Sequence, residues 1–160
     1  HASLQRSLTA IVARHDALRT TFLAQGGEPV QVIVPHQTLV VTCIDLTGIP
    51  EGSREAEVRE LASREAHRPF DLSQGPLLRA VALRVAAEDH VLIINVHHIV
   101  FDGWSDGILL RELAVHYNAF TAGTDVALPP LPIQYADYAV SEHDRLRGDA
   151  LELGGHASET

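Results

Sequence analysis

Residues 97–103 read His97-His-Ile-Val-Phe-Asp-Gly103 and follow directly on an apolar run, Val91-Leu-Ile-Ile-Asn-Val96. These side chains carry acid–base chemistry. Imidazole, with an ordinary pKa of about 6.5, takes or gives a proton near neutrality. Asp102 lies four residues after His98, and Gly103 lets the backbone adopt an unusual φ or approach a ligand closely. The apolar run reads as a strand over His90 to Val100. Side chains alternate faces along a strand, so His97 and His98 point in opposite directions. One can face a given cavity, and the other packs into the scaffold. Asp102 either orients a histidine or holds the turn by pairing with a cation elsewhere. Asp102 or Ser105 also suits the cap of a following helix.

This set allows one general base and no covalent intermediate. No Gly-x-Ser-x-Gly is present. The single cysteine, Cys43, lies in the apolar stretch Val40-Val-Thr-Cys-Ile44, where a buried structural thiol is expected. Metal is not expected: adjacent strand residues diverge, and no third ligand sits at a zinc-like spacing. Spacing alone leaves a catalytic and a structural role for the histidines evenly balanced.

The elements that must hold this set follow from periodicity. Leu4, Leu8, Ile11, Val12 and Leu18 recur at helical spacing and predict a helix over 3–17. Leu18-Arg-Thr-Thr-Phe22, the Gly26-Gly27 turn and the alternating stretch 29–34 predict paired strands. Val40 to Leu46 reads as another strand. Ser53 suits the cap of a charged helix to about Arg68. Pro69 to Pro76 is a loop, and Leu77 to Val85 a strand antiparallel to the one that enters the histidines. Helices are expected over about 105–120 and from Tyr135 to Arg147, with an irregular Pro-rich stretch between them. The elements mix without strict βαβ alternation, so the fold class is α+β.

With 160 residues and 46% hydrophobic side chains, the chain builds a core and is not disordered. Its net charge of −9 argues against a nucleic-acid surface. One cysteine excludes an internal disulfide and fits a reducing compartment, the cytoplasm. No apolar run has the length of a membrane span, and no signal peptide opens the chain. The chain begins within a helical pattern at His1-Ala2-Ser3-Leu4, from which a preceding N-terminal portion is expected.

His97-His-Ile-Val-Phe-Asp-Gly103 resembles the HHxxxDG motif of condensation domains of nonribosomal peptide synthetases. Arg14-His-Asp-Ala-Leu-Arg-Thr-Thr-Phe22 resembles the family's RHExLRTxF segment, and Tyr135-Ala-Asp-Tyr-Ala139 its YxDYA segment. Pro69-Phe-Asp-Leu72 and Gly75-Pro-Leu-Leu-Arg79 are similar to it as well. HHxxxDG is shared across a wider acyltransferase superfamily; the three segments in order are far more specific. Ser141 departs from the family, which often has tryptophan there.

The resemblance implies amide bond formation between two thioesters held on carrier domains, in a tunnel between two chloramphenicol-acetyltransferase-like lobes. Residues 1–153 then correspond to part of the N-terminal lobe, a mixed, mostly antiparallel sheet with flanking helices, and 154–160 to an irregular tail. It implies that His98 is catalytic, that His97 is scaffold, and that the Gly103 N–H lies near the reacting thioester. It implies that Asp102 is structural and pairs with Arg19. A buried, paired Asp102 predicts that Asp102→Ala or Arg19→Ala damages folding, whereas His98→Ala damages rate. No cofactor is bound directly; substrates arrive on the phosphopantetheine arms of donor and acceptor peptidyl carrier domains. The other partners are the C-terminal lobe and an adjoining adenylation domain, with no nucleic acid and no membrane. Asp102-Gly-Trp-Ser105 is more similar to domains that join an L donor to an L acceptor. The other readings are a related acyltransferase or epimerisation domain, a catalytically silent docking module, or a chance motif in an unrelated α+β protein. The lobe alone is expected to be inactive.

Overall fold

A computed structural model describes residues 1–154, with side chains to residue 146. It divides into two compact units, His1–Ala127 and a second that begins at Leu128.

In the first unit α1 spans Ala2–Arg14, three residues short of the predicted end. It buries Ser7, Leu8, Ile11 and Val12 on one face. A 3-10 turn, Asp16–Arg19, leads into the hairpin of β1, Thr20–Gln25, and β2, Glu28–Ile33. Gly26 and Gly27 both have positive φ (62° and 90°), as a tight hairpin turn of matching twist requires.

The main sheet has three strands: β3, Val41–Asp45; β4, Leu78–Arg84; β5, His90–Val96, in that order. β4 pairs antiparallel with β5, as expected. β3 and β4 are parallel, and the crossover between them is α2, Glu51–His67. One βαβ unit therefore sits inside the α+β arrangement. α2 starts two residues before Ser53: Pro50 is its N-cap, and Ser53 N–H donates back to the Pro50 carbonyl at 2.9 Å. Glu51 adds a negative charge where the helix dipole favours it.

β4 is buried on both faces, which explains its nearly unbroken apolar run. Leu78, Ala80 and Ala82 face the larger core, shared with Leu8, Ile11 and Val12 of α1. The two alanines leave room for the helices. Val81 and Leu83 face the other side, where Val58 and Leu61 of α2 pack. α3, Gly103–Thr121, completes the larger core with Leu109 and Leu113.

Cys43 is exposed, contrary to the expected buried thiol. It shares a strand face with buried Val41, but further along β3 that face opens into a cavity of about 630 Å³ also lined by Leu4, Leu92 and Leu113. Its Sγ lies 2.8 Å from His1 Nδ1.

In the second unit α4 spans Tyr135–Gly154, past the predicted end at Arg147; the single Gly148 costs a helix only about 1 kcal/mol. Tyr138 of the YxDYA segment donates its hydroxyl to Glu142 at 3.1 Å, and Arg145 pairs with the same carboxylate at 2.9 Å. Of the predicted tail, 154–160, all but Gly154 lies outside the described residues.

Candidate active site

β5 ends at Val96, one residue before the histidines, so they stand on a turn and not on a strand. The strand's alternation still carries through. Leu92, Ile94 and Val96 face α3, and His98 lines the same side, in an open cavity of about 560 Å³ that it shares with Phe101, Asp102, Gly103 and Asp106. His97 turns the other way, half-buried, with its ring edge-to-face to Phe70 (centroids 5.7 Å apart, 89°). Its Nδ1 accepts from the Ile99 N–H at 3.0 Å. The main chain of the turn is tied by His97 N–H to the Leu77 carbonyl (2.9 Å) and by Val100 N–H to the His97 carbonyl (3.1 Å).

His98 itself is exposed, and no side-chain hydrogen bond fixes its ring among the described residues. The larger 630 Å³ cavity borders this one through Leu92 and Leu110, but the histidine motif lines only the smaller.

Asp102 is the N-cap of α3. Its Oδ1 accepts from Ser105 N–H at 3.0 Å and Ser105 Oγ–H at 2.7 Å, while Asp102 N–H reaches back to Ser105 Oγ at 3.3 Å. Ser105 is N3 and supplies the return bond of a capping box, a job more often done by Glu or Gln. The Ser105 hydroxyl, and then its amide, hold the Asp102 carboxyl below the usual carboxylate range. Gly103 opens the helix. Its φ is not positive, and a Cβ there would meet nothing within 4 Å, so glycine is not demanded by the fold. What glycine leaves is backbone without a side chain in the cavity that His98 also lines. The Gly103 N–H is also the first of the helix's amides that lack an intrahelical acceptor.

The expected pairing of Asp102 with Arg19 is not what the structure shows, and Asp102 is exposed, not buried. Arg19 donates to Asp16, three residues back on the same 3-10 turn, and to the Val34 carbonyl. The Arg19 Nη atoms and the Asp102 carboxyl find partners close by in the chain, although the buried Arg19 Nε has none among the described residues. The arginine that meets a carboxylate of α3 is Arg14. Its Nε pairs with Glu112 at 3.0 Å, and His15 Nε2 lies 2.8 Å from the other oxygen of the same carboxylate. Glu112 is buried between Leu109 and Leu113 of α3. In the sequence Glu112 stands only as a marker of helical spacing. The available signal was a carboxylate on the apolar face of a helix, where an unpaired charge is not tolerated.

Comparison with known proteins bears on the same residues. The condensation-domain family profile matches residues 1–153. The chain is 46% identical over 151 residues to one of the linear gramicidin synthase polypeptides of Brevibacillus parabrevis, covering 94% of the chain and 2% of that protein. It is 47% identical over 137 residues to phosphinothricin tripeptide synthetase PhsC of Streptomyces viridochromogenes, covering 86% of the chain and 13% of the relative. Among solved structures it is similar to the first condensation domain of the calcium-dependent antibiotic synthetase in complex with a substrate analogue. There the TM-score is 0.80 and the identity 27%, over 92% of this chain and 35% of that one. The X-domain from teicoplanin biosynthesis is similar as well, with a TM-score of 0.81 and 30% identity, over 99% of this chain and 32% of that one. The chain thus spans a small part of the curated relatives and about a third of these solved structures, and within that stretch it belongs to the condensation-domain family.

Proposed function

We propose that this chain is the part of a condensation domain that carries the reacting histidine. In this reading His98 acts on the amine of a carrier-bound acceptor as it attacks the thioester of a carrier-bound donor. The observation that carries the reading is that His98 and Gly103, on either side of one turn, line a single open cavity in a chain whose family match covers residues 1–153.

The acceptor nitrogen forms a bond to the donor carbonyl carbon, and the carbonyl electrons move to oxygen. In this reading the Gly103 N–H donates to that oxyanion. Collapse breaks the C–S bond, the peptide bond remains, and the proton from nitrogen goes to the departing phosphopantetheine thiolate. His98 either takes that proton or orients the amine. Asp102 and His97 shape the turn and do not touch the reactants. The Asp102-Gly-Trp-Ser105 sequence favours an L donor and an L acceptor. The unfixed ring of His98 supports the expectation that the isolated 160-residue chain forms no product.

Turnover of the complete synthetase with loaded donor and acceptor carrier domains, read by mass spectrometry of the condensed thioester, tests this. His98→Ala is expected to lower the rate about 100- to 10,000-fold without lowering the melting temperature. A parent-like rate overturns the assignment. A second reading, a module that recruits a partner enzyme, is favoured by the likeness to the teicoplanin X-domain, which is known in complex with OxyB. It predicts no condensed product from the complete parent synthetase.

A further inference from the structure

Phe70 and Arg79 come from the two loop-and-strand segments that the catalytic reading leaves without a task. They meet on the far side of the turn from His98. The Arg79 guanidinium lies over the Phe70 ring, 3.7 Å from its centroid, and Phe70 in turn packs edge-to-face with His97. Arg79 is held from behind. Its Nη atoms donate to the carbonyls of Arg68 (2.6 Å), Pro69 (3.2 Å) and Glu65 (3.3 Å), at the end of α2. Its Nε lies 3.4 Å from Glu65 Oε2. A cation is suited to the carbonyl end of a helix, and a planar guanidinium can gather carbonyls in its plane while presenting its face to an aromatic ring. In front of the stack, His97 Nδ1 accepts from the Ile99 N–H, so the neutral ring carries its proton on Nε2. That bond spans His98.

We propose that Arg79 and Phe70 are positioning residues: stacked on His97, they set the 97–100 turn and thereby the place of His98 in the cavity. The inference rests on the reading of His98 as the reacting residue. Neither side chain lines the His98 cavity, so both act through His97. A π face is what Phe70 contributes, because leucine fills comparable space but offers nothing to a guanidinium.

The test uses the complete synthetase carrying Phe70→Leu, Phe70→Tyr, Arg79→Gln, Arg79→Lys or His98→Ala. Two readouts are taken: kcat and KM for the acceptor carrier, and the diethyl pyrocarbonate labelling rate of each histidine, resolved by peptide fragmentation. Phe70→Leu and Arg79→Gln are expected to lower kcat about 10- to 100-fold with KM unchanged, the scale of a small misplacement of a reacting group. Phe70→Tyr restores kcat, and Arg79→Lys restores it in part. His97 labels several-fold faster in Phe70→Leu, while buried His116 on α3 stays at its parent rate. Parent-like kcat in Phe70→Leu overturns the proposal, whether or not labelling changes. So does a lower kcat with parent-like His97 labelling. If Arg79→Gln fails to fold, Phe70→Leu decides alone. A parent-like rate in His98→Ala removes the catalytic reading, whereas faster His97 labelling in Phe70→Leu still establishes the stack, so the two failures are told apart.

Discussion

Beyond its first turn α3 buries Leu109, Glu112, Leu113 and His116, and one carboxylate there receives Arg14 and His15. Its first turn stands in solvent, with Trp104 88% exposed and Asp102 bonded to Ser105. Each region carries an acidic side chain, yet Glu112 draws its partners from the last residue of α1 and the one after it, 98 and 97 positions away, and Asp102 from three residues on. A charge removed from water must be met by whatever the fold brings to it, whereas a charge in water is satisfied by its nearest neighbours. The buried part anchors the helix, and the open first turn leaves Gly103 in the cavity that His98 lines.

That contrast is most directly broken at Glu112. Glu112→Ala removes the carboxylate that receives Arg14 and His15 in a largely dry site and is expected to cost about 3 kcal/mol, the low end for a buried pair because all three side chains keep slight exposure. Denaturant unfolding of the condensation domain containing this stretch measures it, and a cost no larger than that of Asp102→Ala would remove the distinction between the two ends. Leu109→Ala, beside Glu112, is expected to cost about 2–3 kcal/mol through the cavity it leaves. Asp102→Ala loses only a cap. Its melting temperature should fall by less than half as much as that of Glu112→Ala, and Asp102→Asn should recover most of it, because asparagine caps as well as aspartate.

The open end also has a signature in acid. The Asp102 carboxyl sits below its ordinary value because it accepts from the Ser105 hydroxyl and amide. A native value lowered in this way stabilises the fold above the ordinary carboxylate pKa, and the contribution disappears as pH falls through the lowered native value. Below about pH 4 the gap in melting temperature between the parent and Asp102→Ala should therefore narrow. A constant gap down to about pH 2 would show that the carboxylate charge contributes nothing to the cap. The smallest effect is expected at Trp104: with its side chain in water, Trp104→Ala should change stability by less than about 0.5 kcal/mol.

Much of the architecture was legible along the chain. α1, the Gly26-Gly27 hairpin, β4, β5 and α3 follow from apolar spacing and turn residues, because those signals are local. The opposite directions of His97 and His98 were legible for the same reason, although β5 stops at Val96 and the turn inherits its alternation. The ordered motif segments were enough to recognise the family. Two kinds of feature were not legible. Cys43 lies in an apolar stretch yet is exposed, because hydropathy does not record where a sheet face runs out of covering helix. Nor does it record which acid meets which base.

Residue types and their spacing thus settled most of the elements, the family and the opposite directions of His97 and His98, since backbone periodicity and turn chemistry act over a few residues. The tertiary structure alone decided that Arg14, not Arg19, reaches α3, that its carboxylate partner is Glu112 and not Asp102, and that Arg79, Phe70 and His97 form one stack. Those pairings depend on packing that brings together segments far apart in the chain, where burial removes water as the competing partner.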